Sequence, residues 1–298
     1  MFVFIITETS NYADKRNSVS NIQLTGKNKG KSINGIAILS NELFVVTESS
    51  HVLEVYYSKT FKHKRDMKVS KMGYPLDIAS SKDAKCLYIV GRFSEETESQ
   101  VVRIDLGGRV LNQWSIGGER GRLSTYGSNV ILCLSDKQLI LEYLPDGTPV
   151  VTVSLSPAVK LNNPLHAIKV SSAHFVVTHG DFKDEKERGV ELHRVCVIDL
   201  NGNIKQERRV EFPICLVEGK ERSIIVANQH SNLILSLSSV LEYQEKLIGE
   251  EQLPQFEGSP VRLCFDDTQS TLFIAVNRWC CDEETWKDGH ILFFTVEK

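Results

Sequence analysis

Short apolar runs and polar stretches alternate along the whole chain, and one apolar cluster keeps returning: Phe44-Val45-Val46, Leu87-Tyr88-Ile89, Val130-Ile131-Leu132, Phe175-Val176-Val177, Ile224-Ile225-Val226 and Phe273-Ile274-Ala275. The first residues of these clusters, 44, 87, 130, 175, 224 and 273, lie 43 to 49 positions apart. Around each cluster the order is similar: a first apolar run opened by Pro or Gly, a polar turn, the cluster, a loop and a further apolar run. Runs this short, rich in β-branched and aromatic residues and bounded by Gly, Pro, Asn and Asp, predict strands. A long period built from strands alone predicts a radial array, because one unit cannot bury its faces without its neighbours. Six units predict an all-β fold, a six-bladed β-propeller of four-stranded antiparallel blades.

The strands can be assigned from the central channel outward. In blade two they are 75–79, 86–90, 101–105 and an outer strand through Trp114; in blade four they begin 164–168, 175–178 and 194–198. The turns Leu106-Gly107-Gly108, Pro145-Asp146-Gly147 and Asp199-Leu200-Asn201-Gly202 link third to fourth strands, with glycine supplying the positive φ a hairpin needs. The sixth unit reaches only its third strand, 291–296, so residues 19–24 are expected to complete that blade and close the ring. One domain spanning 1–298 accounts for the chain, with 1–18 outside the blades and 1–6 as an extra β-prone segment without a slot.

Composition narrows the partners. A net charge of -3 and a pI near 6.3 give no general attraction to phosphate, so no nucleic-acid partner is expected. The densest basic stretch, Lys59 to Lys71, falls where an outer strand is expected, and charge on such an edge discourages pairing with other chains. Residues 1–6 are apolar but too few to span a membrane, and they lack the charged start of a secretory signal. Seven cysteines without zinc spacing fit reduced thiols, and the adjacent Cys280-Cys281 would form a strained disulfide. The expectation is a soluble, cytoplasmic protein without a cofactor, and a monomer, since a closed ring offers little free edge.

One stretch resembles a known repeat. Ile224-Ile225-Val226-Ala227-Asn228-Gln229-His230-Ser231-Asn232-Leu233-Ile234-Leu235, with Ser238-Ser239-Val240-Leu241-Glu242-Tyr243, resembles an NHL repeat, and the six-unit layout is similar to the propeller of the tripartite-motif NHL proteins. It departs from the family's pattern at Asn228 and Leu233, where Asp and Arg are usual. The resemblance implies a recognition propeller whose relatives work beside ubiquitin-ligase domains; this chain has no cysteine and histidine array for a RING domain.

Two kinds of site can be read from the residues. The connections between second and third strands are long and acidic in the even blades, 91–100, 180–192 and 278–289, and share one face. Glu95, Glu96, Glu98, Asp184, Glu185, Asp282, Glu283 and Glu284, with the aromatic side chains of Phe93, Phe182, Trp279 and Trp286, make that face a candidate dock for a basic protein segment. The second site is the channel mouth. Aligning inner strands on proline brings Asp77, His166, Cys215 and Arg262 to equivalent positions, with Gly35 in blade one and Ser124 in blade three. One carboxylate is too few for the calcium site of lactonase-like propellers, a hard cation wanting about six to eight oxygen ligands. His166 and Cys215 with Asp77 or Arg262 are the candidates for a thiol-dependent enzyme, and His166, His179 and His193 for the zinc site of a lyase-like one.

Overall fold

The structure, a computed structural model, describes residues 20–24, 29–48, 50–70, 72–93, 98–117, 121–155, 163–180, 193–249, 258–280 and 285–296. After β1 (Ser20–Gln23), the chain builds one blade at a time. Blade one is β2 (Ile33–Leu39), β3 (Glu42–Thr47), β4 (Val52–Tyr57) and β5 (His63–Lys68). Blade two is β6 (Met72–Ser81), β7 (Cys86–Phe93), β8 (Ser99–Ile104) and β9 (Val110–Ser115). Blade three is β10 (Gly121–Tyr126), β11 (Asn129–Leu134), β12 (Leu139–Tyr143) and β13 (Pro149–Ser154). Blade four is β14 (Pro164–Ser171), β15 (His174–His179), β16 (Arg194–Asp199) and β17 (Ile204–Arg209). Blade five is β18 (Pro213–Glu218), β19 (Ile224–Asn228), β20 (Leu233–Leu237) and β21 (Tyr243–Ile248). Blade six is β22 (Ser259–Asp266), β23 (Thr271–Cys280) and β24 (Thr285–Thr295). Its fourth strand is β1, antiparallel to β24, with Ser20 opposite Phe293 and Gln23 opposite His290. The expected closure of the ring by an N-terminal strand is therefore present.

The six recurring clusters are the second strands, and none of their residues is more than 2% exposed. A second strand is covered on both faces by neighbouring blades, so its sequence reads as an unbroken apolar run rather than an alternation. The core accordingly lies between blades: Phe44, Val46 and Leu53 of blade one, for example, pack with Ile78, Leu87 and Ile89 of blade two. Outer strands alternate instead, as in β5, where Met67 is buried while Lys64 and Asp66 are exposed. The basic stretch is thus an outer edge, and Arg65 forks onto Glu42 with Nη1–Oε1 and Nη2–Oε2 distances of 2.9 and 2.8 Å.

The acidic connections differ from simple loops. In blade six, β23 and β24 continue as a hairpin, with Arg278 opposite Lys287 and Cys280 opposite Thr285. In blade two, β7 runs to Phe93 and β8 begins at Ser99, Arg92 pairing with Ser99. Ladder hydrogen bonds between β-prone residues continue past the blade body, which a reading by polarity scores as loop. Among the described residues no helix is long and apolar enough to cross a membrane.

Candidate functional site

The inner strands β2, β6, β10, β14, β18 and β22 touch in that cyclic order around a central channel. The channel holds a cavity of about 350 Å³ whose lining runs from Asp77, His166, Cys215 and Arg262 to Lys82, Asp83 and Asp267. The last three are exposed residues of turns between first and second strands. The cavity therefore opens opposite the face of the acidic connections, and the four aligned residues line its inner end.

A β-bulge produces the common placement. Register shifts between Ile33 and Gly35, Pro75 and Asp77, Pro164 and His166, Pro213 and Cys215, and Pro260 and Arg262 re-aim the following residue. Blade three lacks this shift. There Arg122, opposite Cys133 and four residues before the last ladder pair, holds the register of Asp77 and Arg262, and Ser124 does not. Without a proline or a bulge, the sequence of β10 gave no landmark for finding Arg122.

Asp77, Arg122, His166 and Arg262 bond between blades, whereas Cys215 Sγ donates to the Leu216 carbonyl of its own strand, at 3.7 Å, and Arg262 Nη2 is buried without a partner among the described residues. Asp77 Oδ1 accepts from Arg262 Nε at 3.1 Å, joining blades two and six, and its Oδ2 accepts the Leu123 backbone N–H at 2.9 Å. Gly35 makes the crossing possible, since a Cβ there would stand 2.7 Å from Asp77 Oδ1. Arg122 Nη1 donates to the carbonyls of Leu76, at 2.5 Å, and Asn34, at 3.4 Å. The Leu216 N–H donates to His166 Nδ1 at 3.3 Å, which fixes the imidazole proton on Nε2, and Nε2 donates to the Leu123 carbonyl at 3.1 Å. Burial holds His166 below its ordinary pKa against the opposing pull of Asp77. Burial, with Asp77 adding to it, pushes the Cys215 thiol up to about 12, far from a thiolate at neutral pH.

His179 and His193 belong elsewhere. They flank the 180–192 connection of blade four, His179 Nε2 lying 3.4 Å from Cys196 Sγ and His193 Nδ1 accepting from the Phe212 N–H at 3.4 Å. Burial, then the charge of Arg194, lowers the His179 pKa to about 4. Among the described residues no three His, Cys, Asp or Glu side chains are grouped to hold a metal ion.

On the opposite face, Phe93 ends β7, and Trp279 and Trp286 occupy opposed positions of β23 and β24. Glu98 is exposed and accepts from Ser115 Oγ at 2.6 Å. Arg278 pairs with Asp288 at 2.9 Å. Glu95, Glu96, Phe182, Asp184, Glu185, Asp282, Glu283 and Glu284 lie outside the described residues. A sequence reading misses Tyr74 on this face. It is 59% exposed and stands opposite Arg92, on a part of β6 that precedes the proline used to mark the strand start.

No protein family matches this sequence, and no curated protein matches it. Solved structures share the fold. A protein of unknown function from Bacteroides caccae is 14% identical with a TM-score of 0.57, covering 80% of this chain and 83% of its own. Kuenenia stuttgartiensis hydrazine synthase is 14% identical with a TM-score of 0.55, at 86% and 79% coverage. YCF48 bound to a D1 peptide is 12% identical with a TM-score of 0.55, at 92% and 82%. At these identities the likeness shows a shared fold and no more, and a fold of this kind hosts unrelated functions.

Proposed function

We propose that this protein is a non-catalytic recognition propeller, NHL-like in plan, that docks a basic protein segment on the face where second and third strands connect. The observation that carries the proposal is the reach of blades two and six. β23 and β24 are 10 and 11 residues long, and the sequences at the tips of these hairpins are rich in carboxylates and aromatics. Exposed Tyr74 and Glu98 beside the blade-two hairpin add to such a surface. The bonds His166 makes to two neighbouring blades, the Asp77–Arg262 pair and the burial of the Cys215 thiol support a structural rather than a catalytic role for them. YCF48, which shares the fold, is bound to a peptide in its solved structure, so peptide docking is within the repertoire of this architecture.

The test is fluorescence anisotropy of labelled Lys/Arg-rich peptides at low and moderate salt. The quadruple substitution Glu95→Lys, Glu96→Lys, Glu283→Lys and Glu284→Lys is expected to weaken binding at least tenfold and to flatten its salt dependence. Peptides that bind the variant as well as the wild type would remove this face from the proposal.

A further inference from the structure

The inner end of the channel cavity holds a charge that its own side chains leave unmatched. Arg262 lines the cavity and is 3% exposed. Its Nε donates to Asp77 Oδ1 and its Nη1 to the carbonyl of Val261, which leaves Nη2 as the buried nitrogen without an acceptor among the described residues. Arg122 brings a second guanidinium to this end, on the carbonyls of Leu76 and Asn34, and Asp77 answers the pair with a single carboxylate. His166 adds no charge, because an Nδ1 that accepts the Leu216 N–H belongs to a neutral imidazole. Lys169, further along the cavity, is matched by Glu142 at 2.5 Å. Two positive groups against one negative group leave one positive charge in excess. Burying an open donor and burying an uncompensated charge are both costly, and a water molecule would relieve the first without the second.

The rest of the cavity limits what could supply the missing acceptor. Its volume of about 350 Å³ lies at the small end of ligand pockets, which run from about 300 to 1,000 Å³, so the occupant is of metabolite size. Between the inner end and the mouth stand Ser80, Ser124 and Thr125, whose hydroxyls donate to the carbonyls of Ile38, Ala167 and Ser80 at 2.7, 2.7 and 2.8 Å. With its proton committed, each hydroxyl oxygen keeps acceptor lone pairs, so this wall suits ligand groups that donate. At the mouth, Lys82 of blade two pairs with Asp267 of blade six at 2.7 Å, and both are exposed. An exposed pair of this kind gains little and opens readily.

We propose that the channel binds a small hydroxylated monocarboxylate, its carboxylate accepting from Arg262 Nη2 and its hydroxyls donating towards Ser80, Ser124 and Thr125. Charge selects a carboxylate. It brings one negative charge to an end that lacks one, whereas a phosphate monoester would bring roughly 1.5 to 2 at neutral pH and overshoot. A cation would meet the repulsion of both guanidinium groups. A guanidinium hydrogen donated to a carboxylate is a charge-assisted bond, stronger than the same bond to a neutral carbonyl, which favours the acid over its amide. The cavity opens opposite the proposed docking face, so this site stands or falls independently of it.

Isothermal titration calorimetry of the full chain with glycolate, lactate, glycerate and gluconate tests the idea, with the matching amides, hexanoate and inorganic phosphate as comparisons. At least one hydroxy acid should bind with one-to-one stoichiometry, and its amide should bind at least tenfold more weakly. Hexanoate, without hydroxyls, and phosphate should both bind more weakly than that acid. Arg262→Lys keeps a positive charge opposite Asp77 but removes Nη2, and should raise the dissociation constant at least tenfold with an unchanged circular dichroism spectrum. Asp83→Lys, at an exposed position of the mouth, should lower it about threefold at low salt and less at high salt. That exposed substitution and the comparison of acid with amide decide the matter if Arg262→Lys does not fold. The proposal is overturned if no hydroxy acid binds at up to about 10 mM, if acid and amide bind alike, if hexanoate or phosphate binds tighter, or if neither substitution moves the dissociation constant.

Discussion

Asp77 is buried at 1% exposure and receives one bond from blade six and one from blade three, so a single carboxylate ties together strands far apart in sequence. Its reach depends on what is missing at Gly35. Gly35→Ala would set a methyl group 2.7 Å from Asp77 Oδ1 and 2.8 Å from the Ile78 nitrogen, and backbone atoms cannot give way cheaply. The expected cost is about 1–3 kcal/mol, read by urea unfolding, for overpacking together with a loosened Asp77–Arg262 pair. The buried histidines set a pH response. His179 takes its proton near pH 6.5 in the unfolded chain and near 4 in the fold, so between these values the unfolded state binds more protons. Stability is then full above about pH 6.5 and falls as pH drops towards 4, with His166 acting in the same direction. The His179 contribution is on the order of 3 kcal/mol at the acid end. His179→Gln should flatten that part of the profile when melting temperature is followed from pH 7.5 to 4.5.

At the scale of elements, the seam between blades six and one shows how a side chain replaces a strand. Asn277 Oδ1 accepts from the Ile33 N–H at 2.8 Å, and its Nδ2 donates to the Ile33 carbonyl at 2.9 Å. Ile33 is 1% exposed, so water cannot substitute. Asn277→Leu should cost roughly 2–5 kcal/mol by leaving two buried backbone groups unpaired, and Asn277→Asp, which keeps the acceptor, should cost less; chemical denaturation of both variants checks the order. The same scale shows why the channel was only partly legible. Proline marked the bulge in four blades, and Asp77, His166, Cys215 and Arg262 could be aligned through it. In β10 the ladder has no shift, and the alignment slid by two residues, from Arg122 to Ser124.

At the scale of the molecule, each blade shares its core with the next, and β1 joins the chain's beginning to its last blade. Unfolding by urea is expected to follow one transition by both far-UV circular dichroism and tryptophan fluorescence. Removing residues 1–24 should strip blade six of its outer strand and separate the two curves or lower both midpoints; coincident, unshifted curves would show that closure contributes little. What the sequence determined by itself was the number of blades, the order of strands and the closing strand, because a second strand covered on both faces must be apolar throughout and so repeats visibly. What only the tertiary structure decided was the work of the polar residues. Whether His166 holds a metal, activates a thiol or bridges two backbones depends on partners in blades three and five, 43 and 50 residues away. Local sequence pattern records the period of burial along a strand, but hydrogen-bond partners across a ring are set by bulges and by the close approach of strands at glycine.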